Sequence, residues 1–116
     1  MPIVFMKVSG RISDVELPNI KAGLRPVVAE EISADEADAR LKPEDILIWG
    51  SRVTEMDEAH DVDLQIVIFA HDYPSRKANL EERRKRIQER MLCESGGRKA
   101  YCWIILAPTS YGTFVV

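Results

Sequence analysis

At 116 residues the chain has room for one domain and too little for two, so any second feature must be an internal repeat or a partner subunit. Hydrophobic residues make up 46% and charged residues 30%, the balance of a globular protein, and no apolar run is long enough to span a bilayer. The formal net charge of −3 gives no overall attraction to a polyanion, so neither nucleic acid nor membrane is an expected partner.

In chain order, Ile3 to Val8 is the first of four short apolar runs; the others are Ile46 to Trp49, Leu64 to Phe69 and Tyr101 to Ala107. All are rich in Val, Ile and aromatics and alternate poorly with polar residues, the pattern of strands covered on both faces. After the first run, Ile20, Leu24, Val27, Val28 and Ile32 recur at helical spacing, so one helix with a single buried stripe is expected there. Pro18 suits a first helical turn, whereas Pro26 would remove an internal hydrogen bond and so either kinks the helix or marks its true start. Ala34 to Lys42 suggests a short exposed helix ahead of Pro43, and Asp57 to Asp61 an acidic loop joining two halves. In the second half, Asn79 followed by Glu82 resembles a capping box, and Leu80, Ile87 and Met91 give a narrow apolar stripe that Gly96 and Gly97 bring to an end. The charges between Glu81 and Arg90 read as a solvated face, with Glu81 to Lys85 and Glu82 to Arg86 at helix-pairing distance.

The order strand, helix, strand therefore occurs twice, with a period of about 60 residues. A helix between two strands of one sheet requires those strands to be parallel. The expected fold class is α+β: a tandem β-α-β repeat in one domain, residues 1–116, with halves at about 1–57 and 62–116. Four strands would form a mixed sheet with two helices on one face. The opposite face is too apolar for water, so self-association is expected.

Cys93 and Cys102 match no zinc or redox spacing and read as structural thiols. His60 and His71 sit beside acidic residues and read as solvated; no metal site and no cofactor are expected. The start Met1-Pro2-Ile3-Val4-Phe5-Met6 lacks a basic segment and meets Lys7 early, which leads to a cytoplasmic expectation.

Pro2 is the residue singled out for chemistry. Removal of Met1 before a small residue would leave a secondary amine at a strand end. An α-amino group titrates near 7.7–8.0, and partial burial beside cations lowers that value, leaving a neutral base near neutral pH.

The start Met1-Pro2-Ile3-Val4, with Gly10-Arg11 and Ser13-Asp14 at the first strand-to-helix turn, resembles 4-oxalocrotonate tautomerase. Lys42-Pro43-Glu44-Asp45-Ile46 is similar to the segment before the second strand of macrophage migration inhibitory factor. Leu17-Pro18, Pro26 and Asn79-Leu80-Glu81-Glu82-Arg83 look like 5-carboxymethyl-2-hydroxymuconate isomerase, and Trp103-Ile104-Ile105-Leu106 followed by Tyr111-Gly112-Thr113-Phe114 is similar to the last strand and tail of that family. The resemblance to the tautomerase superfamily implies a trimer with a pocket at each subunit boundary, and Pro2 as general acid and base on a small carboxylate-bearing enol or keto substrate. It implies substrate-binding roles for Arg11, Lys42 and Arg76, the last by repeat logic, and an aromatic wall from Tyr111 and Phe114. One departure stands: the second-strand arginine of 4-oxalocrotonate tautomerase falls near Ile48 or Trp49 here. The expected activity is keto-enol tautomerisation; a Pro2-dependent hydratase or dehalogenase and a non-catalytic oligomeric binding protein are the alternatives.

Overall fold

The computed structural model describes residues 2–36, 39–58, 61–94 and 98–110. Strand β1 (Ile3–Val8) leads into helix α1 (Leu17–Ile32), a single 3₁₀ turn (Pro43–Asp45) and strand β2 (Leu47–Arg52). Strand β3 (Leu64–His71), the short helix α2 (Pro74–Ala78), helix α3 (Leu80–Glu94) and strand β4 (Ala100–Ala107) follow. The sheet order is β2-β1-β3-β4. β1 runs parallel to β2 and β3 parallel to β4, while β1 and β3 meet antiparallel, with Ile3 opposite Phe69 and Val8 opposite Leu64. The expected repeat is thus two parallel β-α-β halves joined along one antiparallel seam.

One face of the sheet makes the core. Val4, Met6, Val8, Leu64, Ile66, Ile68, Ala70 and Cys102 pack against Ile20, Leu24, Val27, Val28 and Ile32 of α1 and against Ile87 and Met91 of α3. The alternate residues form the other face, and there Phe5, Trp49, Phe69, Tyr101, Trp103 and Ile105 are all exposed. Phe5 sits edge-on between Trp49 and Phe69, at ring-centroid separations of 5.1 and 5.6 Å. So much contiguous aromatic surface on a lone subunit marks a binding or assembly face.

Four local readings change. Pro26 lies inside α1, at an exposed position where the lost hydrogen bond faces solvent. Strand β2 runs to Arg52, past Gly50, which stands opposite Met6; a Cβ there would meet the Met6 methyl at 3.3 Å, so glycine makes room for a core side chain. No helix forms among the described residues between Ser33 and Lys42; the Ser33 hydroxyl instead accepts the Leu41 N–H at 2.9 Å and draws that segment back onto α1. The charges of α3 are also not a uniformly solvated face. Arg86 pairs with Glu31 of α1 at 2.5 Å and Arg90 with Glu30 at 2.9 Å, so they bridge the two helices.

Two arginines go further inward. Arg83 is 8% exposed and Arg76 2%. Arg83 donates through Nη1 to the carbonyls of Glu31 and Ser33, each at 2.7 Å, and through Nη2 to that of Ser75 at 3.3 Å. Its Nε donates to Asn79 Oδ1 at 2.6 Å, so the Asn79 side-chain oxygen serves Arg83. Arg76 donates through Nε to Ile32 O at 2.7 Å and through Nη1 to His71 O at 3.0 Å, with its guanidinium 4.9 Å from the Tyr73 ring centre. The last turn of a helix leaves carbonyls without intrahelical partners, and these two side chains supply donors to two of them in α1, Glu31 and Ile32, and to that of Ser33 just beyond its end.

The loop after β2 contributes an acid-sensitive element. Asp57 accepts from the Lys7 ammonium and from the Thr54 N–H at 2.8 Å. The Lys7 hydrogen bond first, then the Thr54 N–H, hold its carboxyl down at about 2 against an ordinary 3.8. A folded-state value below the unfolded one adds stability that is present above pH ~4 and is lost as pH falls toward ~2. Asp57→Asn is therefore expected to flatten the acid limb of the stability profile in that window, read from urea midpoints at successive pH values. An unchanged slope between pH 4 and 2 would assign the acid sensitivity elsewhere.

Candidate active site

The sheet has two ends of different character. At one end β1 and β3 meet the turns at Ser9 to Arg11 and Asp61 to Asp63, and here polar groups satisfy one another. Arg11 Nε donates to Asp63 at 2.5 Å, the Ser9 hydroxyl donates to the same carboxylate at 3.1 Å, and the Lys99 N–H reaches its other oxygen at 3.3 Å. Burial would raise the Asp63 carboxyl, but the Arg11, Lys99 and Ser9 hydrogen bonds outweigh it and leave it below the ordinary carboxylate range. Arg52 donates to the Ser9 and Ile12 carbonyls at 3.2 and 2.7 Å and to Asp14 at 2.6 Å.

The other end is where β1 and β2 begin and β3 and β4 finish. Pro2 is buried there, and its carbonyl accepts the Leu47 N–H at 3.1 Å, the contact that opens the β1–β2 ladder. In a strand the nitrogen and carbonyl of one residue face the same neighbour. The Pro2 nitrogen is thus turned toward the chain just ahead of β2, the 3₁₀ turn introduced by Lys42. Lys42 is exposed, and its N–H donates to the Asp45 carboxylate at 2.8 Å.

From the β3 side, His71, Asp72 and Tyr73 reach the same end. The His71 and Tyr73 rings meet edge-on with centroids 4.6 Å apart. The Thr109 N–H donates to His71 Nδ1 at 3.2 Å, and the Thr109 hydroxyl lies 2.9 Å from the same nitrogen. One oxygen of Asp72 pairs with Lys77 at 3.0 Å; the other, Oδ1, is buried without a hydrogen-bond partner among the described residues.

Of the residues chosen from sequence, Pro2, Lys42 and Arg76 come to one end of the sheet. Arg76 lies inside α2 with its guanidinium against main-chain carbonyls, so it is not a surface counterpart of Arg11 in the second half. Arg11 lies at the opposite end, separated from Pro2 by the whole of β1, about 20 Å of strand. Within one chain Arg11 and Pro2 cannot act on one small molecule. Tyr111 and Phe114 lie outside the described residues, as do Met1, His60, Gly96 and Gly97. Sequence reading missed His71, which is not solvated but half-buried as the last residue of β3. Its available signal was the continuation of the apolar alternation through Phe69 and Ala70.

Compared by sequence, the chain matches no protein-family model and no curated protein. Compared by structure, it is similar to MIF2 of Leishmania major, with a TM-score of 0.62 and 14% identity over 97% of this chain and 93% of that one. A fused 4-OT symmetric trimer gives a TM-score of 0.62 at 9% identity, covering 91% of this chain and 85% of the other. The FG41 malonate semialdehyde decarboxylase, inhibited by 3-bromopropiolate, gives 0.63 at 10% identity, covering 96% and 89%. The chain carries the tautomerase-superfamily fold. At these identities the likeness extends to the fold alone. Among the described residues no helix is long and apolar enough to cross a membrane.

Proposed function

We propose that this protein is a keto-enol tautomerase for a small 2-keto acid, with the Pro2 amine as general acid and base once Met1 has been removed, working as a cytoplasmic homotrimer. The observation that carries the reading is Pro2 itself, buried at the head of β1 in this fold with its nitrogen turned toward the Lys42 turn. A secondary amine in that position has the chemistry for the step. Sheltered from water, it is neutral at a lower pH than a solvated terminus. It takes a proton from carbon next to the keto group, the C–H electrons form the C=C bond, and the carbonyl electrons move to oxygen. The same nitrogen, now an ammonium, returns the proton to that oxygen.

Lys42 is the cation offered to the substrate carboxylate from the same chain. Arg11 belongs to a site only across a subunit boundary, brought by a neighbour and released from Asp63 to bind the substrate. Tyr111 and Phe114 are assigned the aromatic wall of that boundary. Arg76, held in the interior, contributes positive charge rather than a direct contact. The bare aromatic face supports the trimer, and a fused 4-OT of the same fold is a symmetric trimer. Hydration of an unsaturated acid is a second reading, favoured by the unpartnered Asp72 Oδ1 as a group to orient water.

The decisive preparation is protein shown by intact mass to begin at Pro2, compared with the Met1-retaining form. The first is expected to ketonise phenylenolpyruvate on the order of 10²–10⁴ times faster than the second, the usual worth of a positioned acid-base group. Equal rates would remove Pro2 from the chemistry.

A further inference from the structure

We infer that the groove between α3 and the head of β4 is a second binding site, which takes a small monocarboxylate with an apolar body. The groove has a volume of about 600 Å³, within the range of small-molecule sites. Arg84, Lys85 and Gln88 line it from α3, and Lys99 and Ala100 from the chain entering β4. Ala100 stands opposite Leu64, so the groove belongs to the Arg11 end of the sheet. The eight residues of β4, about 25 Å of strand, separate it from the Pro2 end. Its walls come largely from α3, which places it on the helix side of the sheet and not on the bare aromatic face.

A fixed cation is the first feature that selects the ligand. Arg84 donates through Nε and Nη2 to Glu81 at 3.2 and 2.6 Å and through Nη1 to Gln88 Oε1 at 2.5 Å. Gln88 Nε2 in turn donates to Ala100 O at 3.1 Å, so one chain of bonds ties α3 to β4 and holds the guanidinium in place. Three of the five guanidinium hydrogens are thereby engaged, and one on each Nη stays available among the described residues. Lys85 is exposed and makes no ion pair among the described residues. Lys99 pairs with Asp61 at 3.3 Å, but both side chains are well exposed, and such a pair yields readily to another anion.

The second feature is apolar surface beside these charges. Leu92 is 44% exposed and lines the same groove, next to Ala100 and the methylene stems of the lysines. A ligand of charge alone would leave that surface in water. The groove also limits how much charge it accepts: Glu89 on its lining and Glu81 behind Arg84 repel a second negative charge. A monocarboxylate therefore suits it better than a polyphosphate or a nucleic acid, and the planar guanidinium matches a carboxylate.

Binding rather than turnover tests this, so the result does not depend on the Pro2 chemistry. Octanoate titrated into the ¹⁵N-labelled full chain is expected to shift the Gln88 side-chain amide and the Lys99 and Ala100 main-chain amides saturably. Acetate, which has the charge without the apolar body, and octanol, which has the reverse, are each expected to bind at least about tenfold more weakly. Arg84→Met is expected to weaken octanoate at least about tenfold. Leu92→Ser, a change at an exposed position that leaves the fold intact, is expected to weaken it about fivefold. No saturable shift at these three groups, or shifts confined to the Pro2 end or to the aromatic face, would overturn the site. Octanol or inorganic phosphate binding as tightly as octanoate would overturn the ligand class, and so would an unchanged affinity in the Leu92→Ser protein.

Discussion

Trp49→Glu combined with Trp103→Glu is expected to give a folded monomer without activity. The two indoles are 57% and 62% exposed, on the two edge strands, and flank the surface built by Phe5, Val67 and Phe69. Neither touches the core beneath the helices, so the subunit loses little when they are replaced. The assembly loses much more. A tryptophan presents roughly 150–250 Å², and at about 25 cal/mol per Å² burying the exposed half is worth on the order of 2–3 kcal/mol per residue. A carboxylate in its place would be desolvated without a partner, which adds several kcal/mol. Sedimentation is expected to report a monomer, far-UV circular dichroism an unchanged fold, and the assay no turnover, because the proposed pocket needs two chains. If the double variant sediments like the parent, this face is not the interface, and Arg11 loses its route to Pro2.

Arg83→Met is expected to be strongly destabilising although it lies away from the sheet. The guanidinium is 8% exposed and donates to three main-chain carbonyls and one side-chain amide oxygen, and methionine matches its stem but none of its donors. Hydrogen bonds from a charged donor contribute about 1.5–3 kcal/mol each, and unsatisfied buried acceptors add to the loss. Burial of the charge itself is unfavourable and returns part of it. A net loss of about 3 kcal/mol is expected from urea unfolding at matched protein concentration. Arg86→Ala is the control: its pair with Glu31 is half-exposed and should cost at most about 1 kcal/mol. A loss below 1 kcal/mol for Arg83→Met would mean that water takes over the α1 carbonyls.

The strands were readable because their signal is local. Ile3 to Val8 and Leu64 to Phe69 are short β-branched runs, and a helix between two strands dictates parallel pairing inside each half. The bare face was also readable, since Phe5, Trp49 and Trp103 make both sides of those strands apolar. Long-range features were not. Nothing in the neighbourhood of Arg83 or Arg76 says that their partners are carbonyls some 50 residues earlier. Spacing alone paired Glu82 with Arg86 within α3, whereas the structure sends Arg86, and Arg90 with it, to α1. The site divided the same way: Pro2 and Lys42, chosen from the motif, lie at one end of the sheet, but the separation of Arg11 from Pro2 follows from which end each turn occupies. His71 was passed over because an acidic neighbour looked like solvent, whereas β3 runs on through it and leaves it half-buried.

The bonding of Pro2 carries one more consequence. Its carbonyl is engaged, holding the Leu47 N–H, while its nitrogen has no hydrogen to donate in a peptide and is not needed by the sheet. The same architecture can therefore form with or without a preceding residue. Reactivity has no such tolerance, because an amide nitrogen is not a base. On the proposed Pro2 chemistry, a single hydrolytic cut ahead of this residue would convert an inert copy into an active one with no movement of the scaffold, making aminopeptidase processing an irreversible on-switch that folding itself does not sense.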